Sequence, residues 1–450
     1  MSVETAGAAA EAPKKPGIVR TALVLLPMQI VLRGFEPVLP LLLADWFGRS
    51  HAMDVYVFAR MIFALAGSLV FSAYTDSAIV PILAEERLAR HAALPRLLGS
   101  LLAHTWVIGS ALAALVGALA SAWFAIRYQG DDLGLALRMV VPFCVALVAT
   151  STRSFFGAVL AAEHSYYVQP FASFVSIVAN IALLALLHDR LGVAVVPVAA
   201  LAGELVAIAV LAWFAIRALG LRFELNLGRP PALLAFAKLA GAEVGGGAVT
   251  RVNPVVDQLM AGLAGVVGGG TLLWLSGDVA MLPTSLLQAT LLPVLLSHLS
   301  DDFAAGDLAK VRATVLRALA AVIAILLASG ALLWAIAFPL LRLVFLRGQM
   351  DLEGVQRMAH IMPYHLVGLA PFGALLVLSR AHVALKNSRI MVGMGILNAG
   401  SNIAFNLVLL PFLGLEGLAL STSSVQAAVA IVFWVLFERR VGELRAEAAR

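Results

Sequence analysis

The sequence holds one cysteine, Cys144, in 450 residues. An internal disulfide framework and a cysteine-built metal cage are therefore excluded. Charge is scarce as well: Asp, Glu, Lys and Arg make up 13% of the chain, where an ordinary soluble domain carries ~25%. No glycine-rich phosphate loop, His-Glu-x-x-His helix or G-x-S-x-G turn occurs. No paired acid–base constellation marks an interfacial loop, so an enzyme is not expected. What the chain has in excess is apolar surface. Apolar residues reach 62% and mean hydropathy is +0.97. That excludes a soluble globular domain and a disordered chain, and it specifies a polytopic membrane protein.

Stretches apolar and long enough for helical spans of ~20 residues lie at 20–45, 55–80, 97–126, 134–160, 165–187, 192–217, 234–264, 270–298, 314–340, 357–382, 389–412 and 415–437. The expected fold class is an all-α membrane protein with about 12 transmembrane helices. Residues 1–17 are polar and Ala-rich, without the basic-then-apolar order of a signal peptide, and read as a solvated tail. Of the 31 Lys and Arg, 20 lie in one set of segments, from Lys14 and Lys15 through Arg87, Arg217, Lys310 and Arg380 to Arg450. The alternate segments hold six: Arg49, Arg127, Arg190, Arg342, Arg347 and Arg357. The positive-inside rule places the richer set, and both termini, in the cytoplasm. Topology thus accounts for the pI near 9.6, and no nucleic-acid partner is needed.

Two stretches of the chain repeat a pattern. A span ends on a proline, Pro81 or Pro293, and a polar segment with a basic end follows. The first span of each half carries an arginine shortly before a proline, Arg33 before Pro37 and Arg251 before Pro254. This predicts a cytoplasmic tail at 1–17, an N-lobe of six spans at 18–217, a cytoplasmic linker at 218–233, a C-lobe of six spans at 234–438 and a cytoplasmic tail at 439–450. Repeats of this kind hold their substrate near the bilayer midplane, between the halves.

An ionisable residue inside a span is costly and marks a candidate functional site. The candidates are Arg33, Glu36, Arg60, Asp76, Arg153, Glu204, Glu243, Arg251, Asp257 and Asp278. Arg33 and Glu36 share a helix face. They form either a structural pair or part of a cationic cavity wall, where a guanidinium holds phosphate or carboxylate oxygens bidentately. The seventh span, with Gly245, Gly246, Gly247, Pro254 and three charges, reads as a bendable cavity-lining helix or as close packing through small residues. Asn402 and Asn406 lie one turn apart on one face of the eleventh span; Leu418 and Thr422 lie one turn apart in the twelfth. Their oxygens are hard ligands that suit a small cation, and amide hydrogen bonding between helices is the alternative. Asp278 has no identifiable partner. His104 and His365 read as hydrogen-bonded structural residues. Asp351 and Glu353, near Arg347, read as a solvated external loop.

The residues resemble a family. The run WFGRSHAMDVYVFARMIFALAGSLVFSAYTDSAIVPILAEE (46–86), with Phe47, Gly48, Asp54 and VPILAE at 80–85, is similar to the first two spans of the MurJ/MviN lipid II flippases of the multidrug/oligosaccharidyl-lipid/polysaccharide (MOP) exporter superfamily. Residues 270–307, the stretch LVFLRGQM (343–350) with Phe345, Arg347 and Gly348, and NIAFNLVLLPFLGLEGLALSTS (402–423) resemble it too. The resemblance implies a two-lobed flippase that turns an anionic lipid-linked saccharide, a polyprenyl-diphosphate glycan, across the bacterial inner membrane by alternating access, for peptidoglycan and cell-wall biosynthesis. It carries the first-span cavity arginine onto Arg33. It carries a monovalent, Na-like cation site onto Asp257, Asn402, Asn406, the Leu418 carbonyl and Thr422. Substrate contacts are expected at Arg33, Glu36, Arg60, Arg153, Arg251 and Asp278. The chain departs from the family where further cavity arginines fall on Leu39, Gly67 and Val279, where the second span's acidic residue falls on Ser72, and in twelve expected spans where the family usually has two more. No tightly bound cofactor is expected, coupling is to Na+ or H+, the partners are the lipid-linked glycan and membrane lipids, and the chain is expected to act as a monomer. The rival readings are a cation-coupled exporter of small amphipathic molecules and a non-transporting scaffold for a synthesis complex.

Overall fold

The computed structural model describes residues 35, 37–75, 94–163, 165, 167–228, 252–385, 387 and 390–448. Among these the regular structure is helical and no strand occurs. In hydrocarbon every backbone N–H and C=O must be satisfied within the protein, and a helix does so within one segment. The first half contributes α1 (Val38–Phe47), α2 (His51–Thr75), α3 (Leu94–Arg127), α4 (Gly130–Ala162), α5 (Val168–Leu191) and α6 (Val195–Trp213). The second half contributes α7 (Asn253–Ala261), α8 (Gly269–Ala304), α9 (Leu308–Ala335), α10 (Ala337–Phe345), α11 (Leu352–Leu366), α12 (Leu369–Ala384) and α13 (Ile390–Ala448).

Among the described residues, Leu94–Arg127, Gly130–Ala162, Val168–Ala218, Leu308–Ala335 and Ile390–Glu447 are long and apolar enough to cross a membrane, and α11 with α12 make one further span bent by 42°. Val168–Ala218 is a hairpin in which Gly192, at φ 57°, reverses the chain and α5 packs along α6. α13 is also two legs. They meet at Gly414, φ 59° and ψ −132°, a conformation open to glycine and strained for other residues. The second leg returns beside the first, and Ser421 Oγ donates to the Asn402 carbonyl. The span expected unbroken at 357–382 is interrupted at Val367 and Gly368. The cause is tertiary: a Cβ at Gly368 would stand 2.4 Å from Gln426 Oε1, and Ser423 Oγ donates to the Tyr364 carbonyl. Residues 439–448, expected as a tail, continue the second leg of α13 as helix.

Each half packs mainly on itself. In the first half α4 is central, against α2, α3 and α6; in the second, α8 and α12 are central, against α9, α11 and α13. Small residues permit the close approaches. A Cβ at Gly117 would lie 2.6 Å from Cys144 Sγ, and one at Gly203 would lie 2.7 Å from the Ser176 carbonyl. Interfaces of this kind gain from dispersion and interhelical hydrogen bonds, because lipid removes the hydrophobic drive between helices. The outer surface is correspondingly apolar, with Leu119, Leu186, Trp213, Leu343 and Phe412 exposed. The halves meet through α2 against α7 and α8, and through α1 against α10. Residues 219–228 leave α6 as an extended strap held on the start of α3: Glu224 N–H donates to the Pro95 carbonyl, Asn226 Nδ2 to Arg96 O, and Ser100 Oγ to Gly228 O.

Candidate functional site

Asp257, on α7, is the hub of a polar cluster inside the second half. Pro254 stands in the first turn of α7, where its missing N–H costs nothing. Asn402 and Asn406, one turn apart on the first leg of α13, donate from Nδ2 to Asp257 Oδ1 at 3.0 and 2.8 Å. Thr422 Oγ1, on the second leg, lies 3.2 Å from Asp257 Oδ2 and 3.3 Å from the Leu418 carbonyl. Asn402, Asn406 and Leu418 are fully buried. All five residues expected from the resemblance are thus brought together, and the break at Gly414 is what brings Thr422 back opposite Asn402. Asn406 Oδ1 is buried without a hydrogen-bond partner. A buried amide oxygen without a donor is costly. Beside a carboxylate, a hydroxyl and a backbone carbonyl, it completes an all-oxygen set of the kind that suits a hard monovalent cation.

A second charged group spans the two halves. The Arg60 guanidinium, from α2, lies 4.3 Å from the centroid of the Trp274 ring on α8. The attraction of a cation to an aromatic face holds it there, while its Nε is buried with no hydrogen-bond partner. Asp278, one turn beyond Trp274 on α8, opens into a cavity of about 680 Å3 bounded by Pro37, Leu41, Val279, Leu341 and Phe345. Among the described residues no cation lies within ion-pair distance of Asp278.

Arg153 is placed elsewhere. Its Nη1 donates to Glu204 Oε1 at 2.8 Å and its Nη2 to Ser173 Oγ at 2.6 Å, which ties α4 to α6 and α5 within the first half. It does not line the Asp278 cavity. Removing one partner from such a part-buried pair costs roughly 3–5 kcal/mol. Arg33, Glu36 and Arg251 lie outside the described residues, as do Asp76 and Glu243. His104 Nδ1 contacts the Ser100 carbonyl at 2.8 Å, as expected for a structural histidine, and the His365 ring is buried against the Leu273 backbone, with its Nε2 lacking a hydrogen-bond partner.

At one end of the bundle the halves are clasped together. Arg49, between α1 and α2, forms a bidentate pair with Asp351, both contacts 2.8 Å, and reaches Glu353 at 2.7 Å. Asp351 and Glu353 are exposed, as expected, and their partner is Arg49 rather than Arg347. The Arg49 hydrogen bonds hold the Asp351 carboxyl down at about 2. Gln349 N–H donates to the Asp45 carbonyl at 2.7 Å, and Arg127 Nη2 to the Gly262 carbonyl at 2.7 Å. Asp54 Oδ1, at the start of α2, accepts from both Thr271 N–H, 2.8 Å, and Thr271 Oγ1, 2.9 Å, at the start of α8. A carboxylate at a helix N-terminus is favoured by the unpaired N–H groups there. Burial pushes the hydroxyl of the neighbouring Tyr128 up to about 12, so it stays protonated. Arg49, Thr271 and Gln258 were not marked by sequence pattern: the partners of Arg49 and Thr271 lie 302 and 217 residues away, and the Gly270 carbonyl that Gln258 meets is a backbone group that no side-chain periodicity encodes.

A family model described as lipid II flippase MurJ matches residues 43–449. No curated protein matches the chain by sequence. Among solved structures, a lipid II flippase MurJ in an inward closed conformation aligns with a TM-score of 0.78 at 18% identity, over 94% of this chain and 90% of that one. An inward-facing multidrug resistance MATE family transporter of the MOP superfamily aligns at 0.74 and 15% identity, over 94% of this chain and 99% of that one. An outward-facing MATE family transporter aligns at 0.64 and 14% identity, over 95% and 96% of the two chains. The fold is that of the MOP exporters.

Proposed function

The chain belongs to the MurJ family of lipid II flippases, and we propose that it turns an anionic, diphosphate-linked lipid glycan across the bacterial inner membrane for cell-envelope synthesis. In this reading the Arg49 end faces outward, both termini lie in the cytoplasm, and the protein works as a monomer. The halves rock as lobes about a site between them. The observation that carries the reading is a cation and an anion near that interface: Arg60 of the first half lies against Trp274 of the second, and Asp278, one turn further along α8, faces a cavity walled by residues of both halves.

The division of labour follows from the chemistry of each group. Arg60 Nε is buried without a hydrogen-bond partner in the present arrangement, and we assign the guanidinium to phosphate oxygens, which its planar fork suits. Arg33 and Arg251 are assigned to the same task from the sequence. Glu36 and Asp278 set the orientation of these cations and of hydroxyl or amide groups on the glycan. Arg153, held by Glu204 and Ser173, keeps α4, α5 and α6 rigid as the lobe moves. Asp257, Asn402, Asn406, Thr422 and the Leu418 carbonyl would hold a monovalent cation, Na+ in the first instance. Bound there, it supplies the positive charge that ties α7 to both legs of α13. Coupling requires that the cation bind the two states with different affinity. The membrane potential contributes ~2.3 kcal/mol per charge per 100 mV.

Native mass spectrometry of the purified protein with a polyprenyl-diphosphate glycan tests the assignment. Charge-assisted hydrogen bonds are worth ~1.5–3 kcal/mol each, so Arg60→Ala is expected to weaken binding roughly tenfold or more. The corresponding polyprenol without its diphosphate should bind equally to both forms. Equal binding of the diphosphate to wild type and Arg60→Ala would remove Arg60 from the site. A second reading, export of small amphipathic cations, is favoured by one feature: the walls of the Asp278 cavity are apolar where the family resemblance placed arginine, at Val279. Displacement of the glycan by a lipophilic quaternary ammonium ion in the same spectra would favour it.

A further inference from the structure

The Asp257 cluster and the clasp at the Arg49 end are joined through one peptide group. Gln258 follows Asp257 on α7 and, a hundred degrees around the helix, faces the opposite neighbour. Its side chain is 7% exposed. Its Nε2 donates to the Gly270 carbonyl at 3.2 Å. That carbonyl belongs to the same planar unit as the Thr271 N–H, which donates to Asp54 Oδ1 at 2.8 Å. The Gly270–Thr271 peptide is thus gripped on its oxygen by the helix of the polar cluster and on its hydrogen by the first half of the molecule. Loading the carbonyl polarises the group and strengthens its N–H as a donor. The fit is close: a Cβ at Gly270 would lie 2.6 Å from Gln258 Oε1 and 3.3 Å from Asp54 Oδ1. On the far side, Gly268, at φ 75°, backs onto the Arg49 carbonyl, 2.4 Å from where its Cβ would stand. Glycine is therefore required at both positions for α7, α8 and the first half to approach this closely.

We propose that Gln258 is the positioning residue that couples occupancy of the Asp257 site to closure of the Arg49 end. The proposal rests on the cation reading of Asp257, Asn402, Asn406 and Thr422. A cation that bridges α7 to α13 keeps Gln258 on the Gly270 carbonyl, and so keeps the Thr271 N–H on Asp54. When the site empties, α7 is held by fewer contacts, the peptide loses its outer grip, and the two halves part. The coupling is reciprocal: opening that end weakens cation binding by the same factor. Asp257 and Gln258 therefore act as the two arms of one short helix, one reading the ion and the other holding the door.

The test is a distance measurement in lipid nanodiscs, with spin labels on Asp131→Cys and Val267→Cys in a Cys144→Ser background. Sodium chloride is replaced by choline chloride at constant ionic strength. Sodium is expected to raise the ratio of closed to open distances in the otherwise native chain fivefold or more, the lower end of the usual ~5–150-fold allosteric range. Gln258→Met, similar in volume but unable to donate, is expected to lose that dependence while binding radioactive sodium within about threefold of wild type. Gly270→Ala attacks the same contact from the other side and should do the same, which keeps the test decisive if one variant fails to fold. Asp257→Asn should lose binding and response together. A Gln258→Met chain that still responds fully to sodium overturns the coupling and leaves the cation site standing. A native chain blind to sodium overturns both.

Discussion

Arg49 and Asp257 occupy opposite electrostatic situations. The Arg49 pairs are open to water, with side-chain exposures of 20% for Arg49 and 50% for Asp351, so screening limits the clasp to ~0.2–1 kcal/mol. Its pH dependence has a definite sign. The Asp351 carboxyl lies below its ordinary value, at about 2, so its contribution is present above pH ~4 and is lost as the pH falls toward 2. The melting temperature of the native chain is expected to exceed that of Asp351→Asn by a degree or so at pH 7. The gap should close between pH ~4 and ~2, and a gap that widened in acid would contradict the assignment. Asp257, by contrast, takes its hydrogen bonds from the neutral donors Asn402, Asn406 and Thr422 in a buried cluster. The two cases also differ in legibility. Asn402 and Asn406 announce themselves by helical spacing in an apolar span. Arg49 and Asp351 are 302 residues apart in exposed turns, where charge is ordinary and carries no address.

Helices show the same division. Hydropathy located the described spans in α3, α4, the α5–α6 hairpin, α9, α11 with α12 and the two legs of α13, because ~20 apolar residues are the price of crossing a bilayer. It did not reveal the break at Val367 and Gly368, since HLVGLAPFG (365–373) is apolar throughout and the cause, Gln426 and Ser423, lies in another helix. The turn at Gly414 was legible as a gap between two expected spans. Its consequence for the site was not, because only the folded chain places Thr422 against Asp257. A side chain at φ 59° there costs roughly 1–3 kcal/mol. Gly414→Ala is therefore expected to lower the melting temperature by several degrees and to weaken sodium binding, as Thr422 and the Leu418 carbonyl move off Asp257. Radioactive sodium binding and a thermal melt on the same preparation separate the two effects. Loss of stability with sodium affinity intact would show that the second leg keeps its place without the glycine.

Across the whole molecule, two self-packed halves meet on α2, α7 and α8, and each charged group at that seam has a distinct chemical role. Arg60 offers a fork, Asp278 a counter-charge in an apolar cavity, Asp54 a cap for the first turn of α8, and Asp257 the hub of an oxygen cluster one residue from Gln258. The chain is a MurJ family member, and the resemblance read from the sequence sets Leu39, Gly67 and Val279 where the family carries cavity arginines. Arg60 stands two turns from Gly67 on the same face of α2. We propose that this arrangement moves a lipid-linked diphosphate from one leaflet to the other. It is tested by reconstituting the chain in vesicles with a polyprenyl-diphosphate glycan carrying a fluorophore on its sugar, and adding a membrane-impermeant quencher. Quenching is expected to run well past the half accessible in protein-free vesicles, and to fall back to that half with Arg60→Ala. Quenching that stops at the outer leaflet with the native chain, under a membrane potential and a sodium gradient, would contradict it.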